Sequence, residues 1–294
     1  MKLSFMRNIF ILLRPSQWVK NLFVFLPLFF DGHLLDWNYF YHTLWVFIAF
    51  IFASSTIYCF NDIQDREYDK LHQEKSKRPV ASGGISVGQA YVIMLFCLLI
   101  TLTFSFLIIR NIWLSAIIGL YLLLNFLYCL FLKTVAIIDV SIISFGYILR
   151  IWAGGVITGA CLSHWIVLMT FLLSLFLAFA KRRDDVLLYQ DTGIKARRCI
   201  TEYNAAFIDR SLSVLASIIM VCYIMYTVSE DVIVRLQCPW LYLTSIFVLL
   251  GLLRYLLLTT KHKTGSPTYI FVKDRFIQSC ILLWLLTFLI IIYL

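Results

Sequence analysis

Charge is scarce in this chain. Asp, Glu, Lys and Arg together make up 14% of the 294 residues, and 62% are hydrophobic, whereas a soluble domain has about 25% charged and about 45–50% apolar residues. This shortage excludes a soluble globular protein and predicts a polytopic membrane protein. The formal net charge of +9 then belongs mainly to the loops, and it is no argument for a nucleic-acid partner.

Several familiar motifs are missing as well. The eight cysteines include no Cys-x-x-Cys pair, so neither a disulfide framework nor a zinc site is indicated. The five histidines show no metal-ligand spacing, and only His72, in a polar loop, is a candidate phosphate donor. The N-terminal apolar run is short, is broken by Arg14 and Pro15, and lacks a small-residue cleavage site, which argues against a signal peptide.

Long apolar runs are what the chain has instead. A membrane-spanning helix needs roughly 20 apolar residues. Nine such runs predict an all-α integral membrane protein with nine transmembrane helices, organised as a single domain over residues 1–294. The predicted spans are 21–35, 41–60, 88–108, 111–131, 136–157, 163–180, 211–229, 239–258 and 276–293.

The positions of Lys and Arg orient these spans. With the N-terminus in the cytoplasm, 21 of the 25 basic residues fall in cytoplasmic segments, and only Arg110 and Arg235 lie on the opposite side. Such an asymmetry is a strong orientation signal. It predicts a multi-pass protein of the inner or plasma membrane whose large polar loops, 61–87 and 181–210, are both cytoplasmic.

The first polar loop concentrates acids. Asp62, Asp65 and Asp69 stand at i, i+3 and i+7, and on a helix they would share one face. Three carboxylates so placed repel one another unless a cation lies between them, and their hard oxygens suit Mg²⁺, which also takes substrate phosphates. A solvated charged loop is the alternative. The basic residues that follow, which could hold phosphates themselves, are Lys70, Lys75, Lys77 and Arg78.

The stretch before the first span, residues 13–21, is predicted to be an amphipathic helix at the membrane interface, anchored by Trp18. Arg14 and Lys20 are six residues apart and do not share a helix face. They can still converge on a phosphate, because Pro15 breaks the run. Substrate contact and lipid-headgroup anchoring both remain open for these two residues.

The second polar loop again mixes anion-binding and metal-binding residues. It begins with Lys181, Arg182, Asp184 and Asp185 directly after the sixth predicted span. A positive-inside flank with compensating acids is the alternative. A further basic cluster in this loop consists of Lys195, Arg197 and Arg198.

The fifth predicted span carries two charges. Asp139 and Arg150 are eleven residues apart, so they share a helix face. A charge at Arg150 is costly in lipid and is expected to face the protein interior. Its partner could be structural, on another helix, or a substrate phosphate or cavity acid. Tyr128 and Lys133, at the cytoplasmic end of the fourth span, are expected to face the same site.

The motif Asn61-Asp-x-x-Asp-x-x-x-Asp69, in the first cytoplasmic loop of a nine-span chain, resembles the first aspartate-rich motif of the UbiA superfamily of intramembrane prenyltransferases. Residues 14–21, 132–140, 149–155 and 181–183 are similar to the branch typified by decaprenyl-phosphate phosphoribosyltransferase. Ordinary members have a second Asp-x-x-x-Asp motif, but here Leu188 and Tyr189 stand where its second acid would fall. This departure argues against the usual allylic diphosphate chemistry.

The resemblance implies a UbiA-type bundle that transfers a phosphoribosyl group from phosphoribosyl diphosphate to a decaprenyl-type polyprenyl phosphate, with Mg²⁺, in cell-envelope biosynthesis. Asp62, Asp65 and Asp69 are then the catalytic metal ligands, joined by Asp184 and Asp185. The implied substrate-binding residues are Arg14, Lys20, Asn61, Lys77, Arg78, Tyr128, Lys133, Asp139, Arg150, Lys181 and Arg182.

Two other functions stay open. The same fold could move a prenyl chain from its diphosphate onto an aromatic or other polar acceptor. A transporter is disfavoured, because transporter acids usually lie near the bilayer midplane and these cluster at one interface. The sequence leaves lipid chain length and self-association into a homo-oligomer undecided.

Topology gives the first testable prediction. Cysteines introduced at Ser82 and Thr192, one in each large polar loop, should resist an impermeant thiol reagent added to intact cells, since both loops are predicted to be cytoplasmic. The parent chain with its native cysteines gives the background labelling. Ready labelling of either position from outside would overturn the predicted orientation.

Overall fold

The protein is helical throughout the part of the chain that a computed structural model describes. No strand occurs there, and it contains nine helical stretches long and apolar enough to cross a membrane. The predictions of an all-α fold and of nine spans are therefore confirmed. His72, Lys195 and Arg197 lie outside the described residues. The described residues are 2–71, 75–160, 162–193, 198–261, 270–271 and 273–293.

The chain packs as two compact units, Met1–Leu162 and Ser163–Leu294. The expectation of one domain over the whole chain stays a prediction. In the first unit the α-helices are α1 (Lys2–Leu13), α2 (Leu26–Phe30), α3 (Trp37–Gln64), α4 (Arg66–Lys70), α5 (Val87–Thr103), α6 (Ile112–Leu130) and α7 (Ile138–Thr158). In the second unit they are α8 (His164–Thr192), α9 (Ala205–Val228), α10 (Glu230–Leu236), α11 (Ser245–Lys261) and α12 (Arg275–Tyr293).

The N-terminal apolar stretch differs from its prediction. It runs over Phe5–Phe30 and is built from α1, a 3-10 helix at Pro15–Phe25 and α2. The helix predicted over residues 13–21 is present from Pro15 onward as a 3-10 helix, and its place at the membrane interface stays a prediction. Pro15 stands at the start of the 3-10 helix, after Arg14 has taken a left-handed backbone conformation with φ 52°. A proline cannot continue the preceding helix, so the direction of the chain changes here. We call Pro15–Phe25 the approach segment.

The sixth span also differs. It was predicted to end at residue 180, with a loop from 181, but α8 continues to Thr192. No proline or glycine interrupts this run before Gly193, which ends the helix with φ 71°. The first half of the second polar loop is therefore a helical extension that carries Lys181 to Asp185 on ordered backbone.

The core of the first unit is built on α3 and α7. Both helices bury more than half of their apolar windows, whereas α5 buries only a small share and leaves the rest for lipid. On α3 the buried residues Val46, Ala49, Phe50 and Ala53 recur at helical spacing and join a cluster with residues of α6 and α7. Because α3 is largely buried, the acid motif at its C-terminal end begins among buried residues.

Several polar side chains of the second unit have hydrogen-bond partners within that unit. Tyr223 on α9 accepts a hydrogen bond from Trp284 Nε1 on α12 at 2.6 Å, and its hydroxyl lies 2.7 Å from Thr244 Oγ1. Arg254 donates to Asp274 Oδ2 at 2.8 Å, and this hydrogen bond holds the pKa of Asp274 below its usual range. Polar side chains in lipid need such partners, because no water is present to replace them.

Candidate active site

The acid motif lies where α3 passes into α4. Asp65 is the junction residue, yet helical hydrogen bonds continue across it, from Asp65 N to Asn61 O at 2.9 Å and from Asp69 N to Asp65 O at 2.8 Å. The helical spacing inferred from the sequence is thus almost preserved. The side chains of Asp62 and Asp69 are only 2% and 5% exposed. An unpaired charge would be costly in such a buried place.

Arg78 joins these two carboxylates. Its Nη1 lies 3.2 Å from Asp62 Oδ1 and 2.7 Å from Asp69 Oδ2. The following chain is anchored, because Val80 and Ile85 are buried against Leu12 of α1 and neighbours on α3 and α5. The sequence required a cation between the acids, and in this structure a guanidinium fills that position.

Arg14 approaches Asp62 from the N-terminal side. Its Nη2 donates to Asp62 Oδ1, and its guanidinium carbon lies 4.9 Å from the centre of the Tyr58 ring. The left-handed backbone at Arg14 costs about 1–3 kcal/mol and persists only where surrounding contacts hold it. The strain therefore sits on a residue that contacts the acid motif. The sequence pattern did not single out Tyr58, although it stands four residues before Asp62 on the same helix face.

Asp65 has a different partner from the other two aspartates. Lys133, in the short turn between α6 and α7, places Nζ 2.6 Å from Asp65 Oδ1. Beside it, Cys129 Sγ lies 3.6 Å from Asn61 Oδ1. The end of α3 and the α6–α7 turn therefore meet at the acid motif, while substrate contacts of Lys133 and Asn61 stay predictions.

The other residues predicted around the motif differ in exposure. Tyr128 is half-buried and packs against the core of the first unit, and Asp139 is fully buried in the first turn of α7, where the helix dipole favours an acid. Lys20 is half-buried on the approach segment and Lys77 is exposed. Their substrate contacts stay predictions.

Glu67 stands apart from the cluster. Its side chain is exposed and accepts hydrogen bonds from Lys70, with an Nζ–Oε1 distance of 2.9 Å. This hydrogen bond lowers the pKa of Glu67. Glu67 thus forms a surface ion pair of the kind that contributes little to stability.

Three aspartates and three cations of the acid motif balance in charge: Arg14, Asp62, Arg78 and Asp69 are linked by ion pairs, and Asp65 pairs separately with Lys133. We call these six residues the network. Within the described ranges, no three His, Cys, Asp or Glu side chains lie close enough together to hold a metal ion. Asp62 and Asp69 do converge on one nitrogen, which shows that their oxygens can face a common cation. Two carboxylates with phosphate oxygens are the usual protein environment of Mg²⁺.

Arg150 does not reach an acid among the described residues. Its three donor nitrogens bond to Asn21 Oδ1 at 2.8 Å, Gly146 O at 2.7 Å and Tyr121 OH at 3.0 Å. These neutral partners match the structural alternative that the sequence left open.

The second unit holds its own charged group on α8. Arg182 is buried, with Nη1 3.7 Å from Asp185 Oδ2, while Lys181 is exposed and Asp184 half-buried. Arg183 is also buried and donates to Asp209 Oδ1 of α9 at 2.5 Å. Asp209 was not singled out in the sequence, and Arg183 was noted only as part of the stretch 181–183. Metal binding by Asp184 and Asp185 stays a prediction.

Comparison with known proteins covers nearly the whole chain. The UbiA prenyltransferase family matches residues 23–286. A decaprenyl-phosphate phosphoribosyltransferase of Corynebacterium glutamicum is 30% identical over 283 residues, spanning 96% of this chain and 85% of the relative. The enzyme of the same name in Mycolicibacterium smegmatis is 31% identical over 282 residues, spanning 92% and 88%.

A solved structure agrees in fold. A UbiA homolog from Archaeoglobus fulgidus, bound to GPP and Mg²⁺, matches with a TM-score of 0.70 at 18% identity over 97% of this chain and 99% of that chain. At this identity the likeness supports the fold alone. Together with the family match and the nine apolar helices among the described residues, it leads to one conclusion: this chain is a multi-pass membrane transferase that belongs to the UbiA prenyltransferase family.

Proposed function

We propose that this protein transfers the phosphoribosyl group of phosphoribosyl diphosphate to a decaprenyl-type polyprenyl phosphate. The reaction would take place at the cytoplasmic face of the cell membrane, with the N-terminus in the cytoplasm. The names of the two bacterial relatives support the chemistry. The basic residues concentrated in the polar loops support the side of the membrane.

One observation carries the proposal: Arg78 holds Asp62 and Asp69 together while Arg14 pairs with the same Asp62. Phosphoribosyl diphosphate brings a diphosphate and a 5-phosphate, and the lipid brings a third phosphate group. So much negative charge needs several cations, and Arg suits fixed phosphate contacts while Lys supplies a point charge. The network contains both arginines and a lysine, and it lies at the C-terminal end of the apolar helix α3.

Mg²⁺ fits this donor set. Asp62 and Asp69 are the residues that would hold it, because their oxygens already face one cation. Asp65 would join them only by giving up its contact with Lys133. When bound, the metal supplies charge neutralisation for the diphosphate leaving group.

The chain's own residues would do the rest by positioning and charge stabilisation. Arg14 and Arg78 would turn from the carboxylates to donate to phosphate oxygens, and Lys133 would add a third positive charge. An oxygen of the lipid phosphate attacks the ribose anomeric carbon, and the bond from that carbon to the diphosphate oxygen breaks with its electron pair. A phosphate monoester is largely ionised near neutral pH, so no strong base is needed.

The rival function is prenyl transfer from a prenyl diphosphate to a polar acceptor, which the family name itself describes. That reaction binds a single diphosphate and has no use for a site for the ribose 5-phosphate. The two functions therefore differ in which diphosphate the protein binds.

A transfer assay decides between them. Purified protein with Mg²⁺, polyprenyl phosphate and radiolabelled phosphoribosyl diphosphate should move label into the lipid phase. A parallel reaction with a prenyl diphosphate and an aromatic acceptor should give no product. Product only in the parallel reaction, with no label in the lipid, would replace our proposal by prenyl transfer.

Two acids of the same loop provide a matched pair of variants. Asp62→Asn removes a buried carboxylate that pairs with two arginines, and transfer should fall by at least about a hundred-fold, because a charge-assisted contact contributes about 1.5–3 kcal/mol and here two are lost. Glu67→Gln removes an exposed acid that pairs only with neighbouring surface residues, and transfer should stay within about two-fold. Similar activities in the two variants would mean that the network is not the active site.

A further inference from the structure

Arg150 is a buried cation in a membrane-spanning helix, 5% exposed. Such a charge normally pairs with an acid, but here its hydrogen bonds within the described residues all go to neutral oxygens. Aromatic rings take the place of a counter-ion, since its guanidinium carbon lies 4.8 Å from the ring centre of Tyr121 and 5.5 Å from that of Phe50. So costly a group needs a specific role.

The contact with Asn21 indicates that role. Asn21 is fully buried in the approach segment, accepts from Arg150 Nε at 2.8 Å and lies with Nδ2 3.4 Å from Ser54 Oγ of α3. Arg150 is thus the link between α7 and a segment that has no α-helical hydrogen bonding of its own. Its Nη1 is tied back to Gly146 O of the same helix, which fixes the direction of the side chain.

A second contact on the same face of α7 supports this link. Gly154 follows Arg150 by four residues, and a Cβ at Gly154 would stand 2.1 Å from Val24 O. Only glycine lets the backbone of the approach segment come so close. The segment is therefore held against α7 at Asn21 and Val24, one helical turn apart on the α7 side.

The other end of the segment is held as well. Leu13 O accepts from Trp18 Nε1 at 3.2 Å and from Ser55 Oγ at 3.2 Å. Arg14 stands between Leu13 and the approach segment. It has the strained backbone with φ 52° and pairs with Asp62. The position of Arg14 thus depends on fixed points at both ends of the turn.

We propose that Arg150 is a positioning residue: through Asn21 it holds the approach segment against α7, and this keeps Arg14 at Asp62. Arg150 does not bind a substrate phosphate. The kinetic part of this inference rests on the proposed transfer reaction, whereas the structural part does not.

The decisive variant is Asn21→Ala, because it cuts the link and leaves the charge of Arg150 in place. Removing Arg150 itself strips three buried acceptors of their donor and can unfold the protein. Asn21→Ala and Arg14→Gln should each lower kcat/KM for phosphoribosyl diphosphate by roughly ten- to hundred-fold, because both remove one charge-assisted phosphate contact. The double variant should be no worse than the worse single one, since both act through Arg14.

Glycine variants provide the matched control. Gly154→Ala should show the same loss as Asn21→Ala, because its methyl group would push the approach segment away from α7. Gly119→Ala, on α6, meets no atom within 4 Å of the added Cβ and should keep wild-type kinetics and thermal stability.

Amide hydrogen exchange tests the same inference without substrate. In Asn21→Ala the amides of the approach segment should exchange at least about ten-fold faster, while those of α6 are unchanged. Unchanged exchange in the segment would overturn the positioning role, and so would an additive loss of activity with Arg14→Gln. Faster exchange in a protein whose wild type shows no phosphoribosyl transfer would refute the proposed function and leave the positioning of the segment intact.

Discussion

Two carboxylates at the enclosed end of a membrane helix can be ionised together only with a cation between them, and Arg78 between Asp62 and Asp69 meets that constraint. Several contacts of the first unit help to keep this cation in place. The chain after Arg78 is anchored by a small apolar cluster, and a strained backbone places Arg14 on the other side of Asp62. Lys133 balances the third acid by pairing with Asp65 from the α6–α7 turn.

In the proposed reaction, this charge balance would let one site take both metal and phosphate. A divalent cation arriving alone would have to displace a guanidinium from two carboxylates, and a phosphate arriving alone would have to draw the same guanidinium from its acids. If the two bind together, the metal would pair with the carboxylates that lose their guanidinium, and the phosphate would pair with that guanidinium. The two ligands should therefore bind with positive coupling, which is a free energy shared between them. In the proposed reaction, the same exchange would place Arg14 and Arg78 on the phosphates when charge develops on the leaving diphosphate.

The sequence predicted the helices and the acid motif well, because both depend on local spacing. Apolar runs of span length must cross a membrane, and acids at i, i+3 and i+7 must share a face. The 3-10 form of the approach segment was not predicted, and its contacts with α3 and α7 involve residues far along the chain, Ser54 and Arg150. The partners of Arg150 were likewise unpredictable, since neutral oxygens and aromatic rings leave no charge pattern. The extension of α8 was missed because a charged helix surface and a charged loop have the same composition.

The coupling between metal and donor is the central claim, and thermal unfolding of the purified protein measures it directly. With Mg²⁺ alone and with phosphoribosyl diphosphate alone, the melting temperature should rise little, and with both it should rise by more than the sum of the two shifts. In Arg78→Met, which frees Asp62 and Asp69 from their shared guanidinium, Mg²⁺ alone should stabilise more than it does the wild type. Equal stabilisation of the wild type by Mg²⁺ alone and by Mg²⁺ with the donor would contradict the account, because the carboxylates would then form a metal site that needs no exchange of partners.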